Sequence, residues 1–137
     1  MIEYCSEEVD LPHLDEALIS EWIEKVVLSY DLHLGELCYI FCSDDYILKV
    51  NNEYLKHDYF TDVITFDYTE NNIISGDLFI SIDTVKTNAD KFSQSYDDEL
   101  LRVIIHGVLH LCGLKDKNPV DEKNMRIAED KALALLN

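Results

Sequence analysis

The stretch from Tyr96 to Cys112 constrains this chain more than any other, because it reads as a helix that is apolar nearly all round. Leu100, Leu101, Val103, Ile104, Ile105, Val108, Leu109 and Leu111 leave no wide polar face. A helix of that kind is central and buried, so the remaining elements must wrap around it. Ser95, with Asp98 three residues later, supplies a capping signal, and Asp97, Asp98 and Glu99 complement the positive end of the helix. Two histidines, His106 and His110, nevertheless lie within it. Burying an imidazole without a bonding partner costs on the order of 1–3 kcal/mol. Both rings therefore need partners.

Four residues apart on a helix, the two rings project from one face about a turn apart. Gly113 can take the left-handed conformation that ends a helix, and Asp116, three residues beyond it, can close a triangle. Three protein ligands with an open position is the arrangement of a catalytic zinc, whereas a structural zinc is usually closed by four ligands, mostly cysteines. The spacing predicts a hydrolase site in which His106, His110 and Asp116 hold one zinc ion and Gly113 makes the turn. The competing reading is two satisfied histidines without metal, with Asp116 a solvated loop carboxylate between Lys115 and Lys117. Cys112 lies about 200° around the helix from His110 and reads as a small buried apolar residue.

At 137 residues, 47% of them hydrophobic, the chain reads as one domain with a proper core. No apolar run approaches the ~20 residues of a membrane span, and the N-terminus lacks the basic and apolar blocks of a secretory signal. Cysteines at 5, 38, 42 and 112 show no C-x-x-C pairing and no disulfide framework. A cytoplasmic location with reduced thiols is the expectation. Strands are predicted at Ile2–Cys5, Leu37–Cys42, Thr61–Phe66 and Gly76–Ile82, the last two as an antiparallel hairpin around Asn71 and Asn72. Helices are predicted at Leu14–Leu28, from the Ser43-Asp44-Asp45 cap to Tyr54, at Asp83–Phe92, at Tyr96–Cys112, and from Pro119 to Leu136. Met125, in the last of these, reads as core filler. The fold class is α+β: a small mixed four-stranded sheet, helices around it, and the metal-motif helix buried at the centre.

The net charge of −17, from 11 basic and 28 acidic residues, sets limits on partners. Nucleic-acid binding normally rests on Lys and Arg neutralising phosphates. Any such contact here must be local, around Lys49, Lys56, Lys86, Lys91, Arg102, Lys115 and Lys117, with a metal supplying part of the positive field.

His106-Gly-Val-Leu-His110-Leu-Cys-Gly113 resembles the H-G-x-L-H-L-x-G motif of the YbeY family of single-domain endoribonucleases. Upstream and in the same order, Thr61-Asp-Val-Ile-Thr-Phe66 is similar to that family's T-N/D-V-L-S-F segment, and Gly76-Asp-Leu-Phe-Ile-Ser81 to its G-D-I/L-x-I-S strand. The resemblance implies one metallohydrolase domain over residues 1–137. It also implies zinc-dependent cleavage of single-stranded RNA in rRNA maturation and ribosome quality control, with ribosomal proteins or a ribosome-associated GTPase as further partners and no membrane. Two departures stand out. Asp116 replaces the family's third histidine, which lowers the site's charge from about +2 to about +1 and makes a bound water less acidic. Leu55 stands where the family carries an arginine; Lys56 or His57 could substitute, and each also fits an ordinary surface position.

Metal-bound hydroxide attacking a phosphodiester is the expected chemistry. Its base is not evident. Asp77 and Asp62 could serve, though a strand-end turn or a supporting hydrogen bond suits each as well. The histidine spacing overlaps that of metzincin peptidases, but Gly107 occupies the position where H-E-x-x-H enzymes carry their glutamate base. The remaining alternative is a non-catalytic, zinc-containing assembly factor whose acidic surface meets basic ribosomal proteins or a GTPase.

Overall fold

A computed structural model describes residues 1–55 and 62–136. Among these, the elements in chain order are β1 (Ile2–Glu7), α1 (Glu16–Ser29), β2 (His33–Cys42), α2 (Asp44–Leu55), β3 (Val63–Asp67), β4 (Ile73–Ser81), α3 (Ile82–Lys91), α4 (Tyr96–Leu111) and α5 (Pro119–Leu136). The strands form one sheet in the order β1-β2-β4-β3. β1 pairs parallel with β2 and β2 parallel with β4, while β3 runs antiparallel to β4. The sheet is mixed and four-stranded, as the sequence predicts.

Two boundaries differ from expectation by more than two residues, for local reasons. β2 begins at His33 rather than Leu37, and its register with β4 shifts between Leu34 and Leu37. Gly35 lies inside that irregularity, where an added Cβ would come within 2.9 Å of the Ile74 carbonyl oxygen. The glycine lets the strands approach through a bulge instead of ending the strand. β4 likewise starts at Ile73, because the tip of the β3–β4 hairpin, closed by a bridge between Glu70 and Ile73, is only two residues long. Asn71 and Asn72 both have positive φ, 53° and 65°, and Glu70 and Ile73 exchange hydrogen bonds of 3.1 and 2.9 Å across them. Asparagine tolerates this conformation, which the right-handed twist of a two-residue hairpin demands.

Side chains alternate across the sheet, so its two faces are covered differently. Tyr39, Phe41, Leu78 and Ile80 belong to the main core with α1, α4 and α5. Cys42, Ile64, Phe66 and Phe79 belong to a smaller cluster with Ile47 and Val50 of α2. In α4, Ile104, Ile105, Val108 and Leu109 are wholly buried. The Tyr39 hydroxyl donates to the Ile104 carbonyl at 3.0 Å, tying α4 to the sheet. The Trp22 indole donates to the Ala132 carbonyl at 2.7 Å, tying α5 to α1. Met125 is core filler, buried in the same cluster.

Candidate metal centre

The buried placement of α4 decides where its histidines can look. Arg102, His106 and His110 recur every four residues on the one stripe of α4 that stays partly open, with His106 and His110 side chains 20% and 27% exposed. Ser95 caps the start of the helix, its hydroxyl accepting from the Asp98 N–H at 3.1 Å. At the other end Gly113 adopts φ +104°. The Gly113 N–H then donates to the His110 carbonyl at 3.0 Å and the Leu114 N–H to the Leu109 carbonyl at 3.1 Å, the paired bonds of a Schellman turn. That turn brings Asp116 back over the open stripe.

The three side chains converge. Oδ2 of Asp116 lies 3.3 Å from Nε2 of His106 and 3.4 Å from Nε2 of His110. One donor atom from each residue falls within a 4.8 Å set, and no other such group of three or more occurs among the described residues. Donors bonded at about 2.0–2.1 Å to a tetrahedral ion are about 3.3–3.4 Å apart, the edge of that tetrahedron. The opposite ring nitrogens are already engaged. Nδ1 of His106 lies 2.6 Å from Oε2 of Glu129, and Nδ1 of His110 lies 3.0 Å from the Leu114 carbonyl oxygen. An acceptor at Nδ1 keeps the proton there and leaves the Nε2 lone pair free, as in histidines that ligate metals. The donor set fits a divalent cation.

Electrostatics around the cluster follow from burial and the surrounding carboxylates. Burial pushes the His106 imidazolium down, but the bond to Glu129 and the charges of Glu129, Asp62 and Asp116 outweigh it and hold His106 above the ordinary histidine value. For Glu129, burial pushes upward, yet the hydrogen bonds from His106 and Arg102 bring it below the usual carboxylate range. Asp62 is held above that range by burial, only partly offset by His106 and by the backbone N–H groups of Asp62 and Val63.

Not every predicted site residue joins the cluster. Asp77, expected as a candidate base, sits on the α2 face of the sheet and accepts a hydrogen bond from the Tyr68 hydroxyl at 3.2 Å. Its neighbour Leu78 is the side chain that turns toward α4, so strand alternation sends Asp77 the other way. Asp62, just before β3, is the carboxyl close enough to act on His106. Lys56 and His57 lie outside the described residues. Arg102, predicted as a nucleic-acid contact, is occupied by Glu129 and Asp130 at 2.8 and 2.7 Å. Cys112, predicted to be buried, is only half-buried where it packs against the main core, and burial raises its thiol to about 11.

Glu129 is the functional residue that sequence reasoning missed. The signal existed: Glu129 falls within the stripe Met125, Ala128, Ala132, which is the buried face of α5. A carboxylate at a core-facing position of an otherwise polar helix needs a partner, and the histidine helix is where that partner lies.

The family model described as "Endoribonuclease YbeY" matches residues 2–137. A relative from Phocaeicola vulgatus named Endoribonuclease YbeY is 56% identical over 137 residues, covering 100% of this chain and 99% of the relative. One of the same name from Bacteroides thetaiotaomicron is 55% identical, covering 98% of each. The solution structure of TM1509 from Thermotoga maritima superposes with a TM-score of 0.69 at 29% identity, covering 99% of this chain and 89% of that one. With the family pattern matched from the first strand to the last helix, this chain belongs to the Endoribonuclease YbeY family.

Proposed function

We propose that this chain is a zinc-dependent endoribonuclease that cuts single-stranded regions of rRNA precursors, with His106, His110 and Asp116 as the ligands. The observation that carries the reading is the pair of imidazoles with Nδ1 engaged and Nε2 turned to a shared carboxylate. Zinc suits two nitrogens and one oxygen at these separations. When bound, a divalent ion polarises a phosphoryl oxygen and acidifies a water molecule.

The chain's own residues do the rest. Glu129 and the Leu114 carbonyl hold the Nδ1 protons and aim the rings. Asp116 completes the triangle while remaining partly exposed, so one side of the cluster stays open to substrate. Asp62 is the carboxyl suited to take a proton there, because burial holds it above the ordinary range. Gly107 supplies no such group, which separates this site from peptidases carrying a glutamate at that position. A cytoplasmic location, and ribosomal proteins or a ribosome-associated GTPase as additional partners, complete the proposal; the acidic surface suits basic partners.

The test is cleavage of a single-stranded RNA by purified protein supplied with zinc. Activity is expected with the native chain and lost in His106→Ala and His110→Ala, while a casein substrate stays intact. Full activity in metal-free double mutant would end the nuclease reading. No cleavage by the native chain, together with capture of a ribosomal protein that survives both substitutions, would select the assembly-factor alternative.

A further inference from the structure

We propose that Arg102 and Glu129 form a positioning relay that sets how tightly the His106 side of the cluster holds a cation; this rests on the metal reading above. Arg102 precedes His106 by one helical turn on the same stripe of α4, and Glu129 reaches in from α5. The two carboxylate oxygens are divided between the neighbours: Oε1 accepts from Nη1 of Arg102 at 2.8 Å, and Oε2 lies 2.6 Å from Nδ1 of His106. Nη2 of Arg102 donates to Asp130 at 2.7 Å, so the guanidinium fork spans two adjacent residues of α5 and fixes how that helix is rotated.

A staple between α4 and α5 would not need this arrangement. The exposed Asp130 alone, 60% accessible, could pair with Arg102. Glu129 instead occupies a site where its side chain is only 7% exposed, on the apolar stripe of α5, where a hydrophobic residue would stabilise the fold at least as well. A buried carboxylate with one oxygen on the Arg102 guanidinium and the other on Nδ1 of His106 has a different use. The hydrogen bond fixes the ring plane of His106 and makes its Nε2 a better donor. Arg102 fixes the carboxylate in turn, and its positive charge offsets that of Glu129, so the cluster keeps its net attraction for an anionic substrate. His110 lacks such support, since its Nδ1 partner is the neutral Leu114 carbonyl. The two histidines are therefore unequal ligands, and the relay strengthens one of them.

The experiment measures zinc affinity without RNA, by competition with a chromophoric chelator, for the native chain and for Glu129→Gln, Arg102→Met, Arg102→Lys and Asp130→Asn. Glu129→Gln is isosteric, so the fold can be kept while the charge is removed. Glu129→Gln and Arg102→Met are expected to weaken zinc binding by about 10–100-fold. Arg102→Lys should recover part of that loss, because it keeps the charge but not the fork, and Asp130→Asn should stay within about 2-fold, since it alters only the exposed end of the fork. In the zinc-loaded native chain the Nδ1 proton of His106 should resonate far downfield by NMR and move upfield in Arg102→Met as well as in Glu129→Gln; a shift in Arg102→Met, which leaves both members of the Glu129–His106 pair in place, is one that a mere staple would not produce. Native affinity in both Glu129→Gln and Arg102→Met, with binding lost in His106→Ala, would overturn the relay and leave the metal site standing. A native chain that binds no zinc would instead overturn the metal reading itself.

Discussion

Gly113 serves the cluster twice. Its φ of +104° ends α4, and the same turn delivers the Leu114 carbonyl to Nδ1 of His110. A Cβ there would meet nothing within 4 Å, so the cost of Gly113→Ala is conformational, about 1–2 kcal/mol, and urea unfolding should show it. Asp116 is the residue on which this chain departs from the family motif it resembles. Asp116→His would raise the charge of the cluster by about one and make water there more acidic. The pH–rate profile of RNA cleavage should then rise at lower pH than in the native chain; an unchanged profile would mean that Asp116 is not a ligand. Cys42 offers a check on burial. Its thiol is enclosed and pushed up to about 12, so Ellman's reagent at pH 8 should label the exposed Cys5 and leave Cys42 until the chain unfolds. The sign follows from proton counting. The unfolded chain ionises this thiol first, so its contribution is intact below the ordinary thiol range and declines as pH rises from there toward 12.

At the scale of elements, the order and type of every described strand and helix were legible, and the reason is periodicity. α4 could be read because its apolar residues cover nearly the whole circumference, and its ends because Ser95 and Gly113 are the residue types those ends require. Ser95→Ala should cost about 1 kcal/mol by removing the cap, visible as a lower unfolding midpoint. The convergence of His106, His110 and Asp116 was legible for the same reason: with Gly113 they are close in sequence, so local geometry alone brings them together. Glu129 was not, because it reaches His106 from α5 and no local period encodes a contact between elements; Asp62 was a candidate base from the sequence, but only the tertiary structure brings its charge to bear on His106. Asp77 misled for a related reason. A strand carries successive side chains to opposite faces, and only the tertiary structure says which face meets α4. The early start of β2 was hidden by Gly35, which reads as a break and acts as a bulge.

Across the whole molecule, 28 acidic residues outnumber 11 basic ones, and Arg102 is already paired with Glu129 and Asp130. RNA binding should therefore depend only weakly on salt. With a non-cleavable single-stranded oligonucleotide, log Kd against log salt should have a slope of magnitude below about 2, corresponding to fewer than about three neutralised phosphates; a steep slope would contradict this expectation. The sheet, the buried helix and the turn after it all serve to hold three donor atoms at the spacing of a single cation. Elemental analysis of the chain, purified without a histidine tag and freed of loose metal after zinc is supplied, tests that most directly. One divalent ion per chain is predicted, with close to none in His106→Ala/His110→Ala; a native chain that retains no metal, or a double variant that retains as much as the native chain, would contradict it.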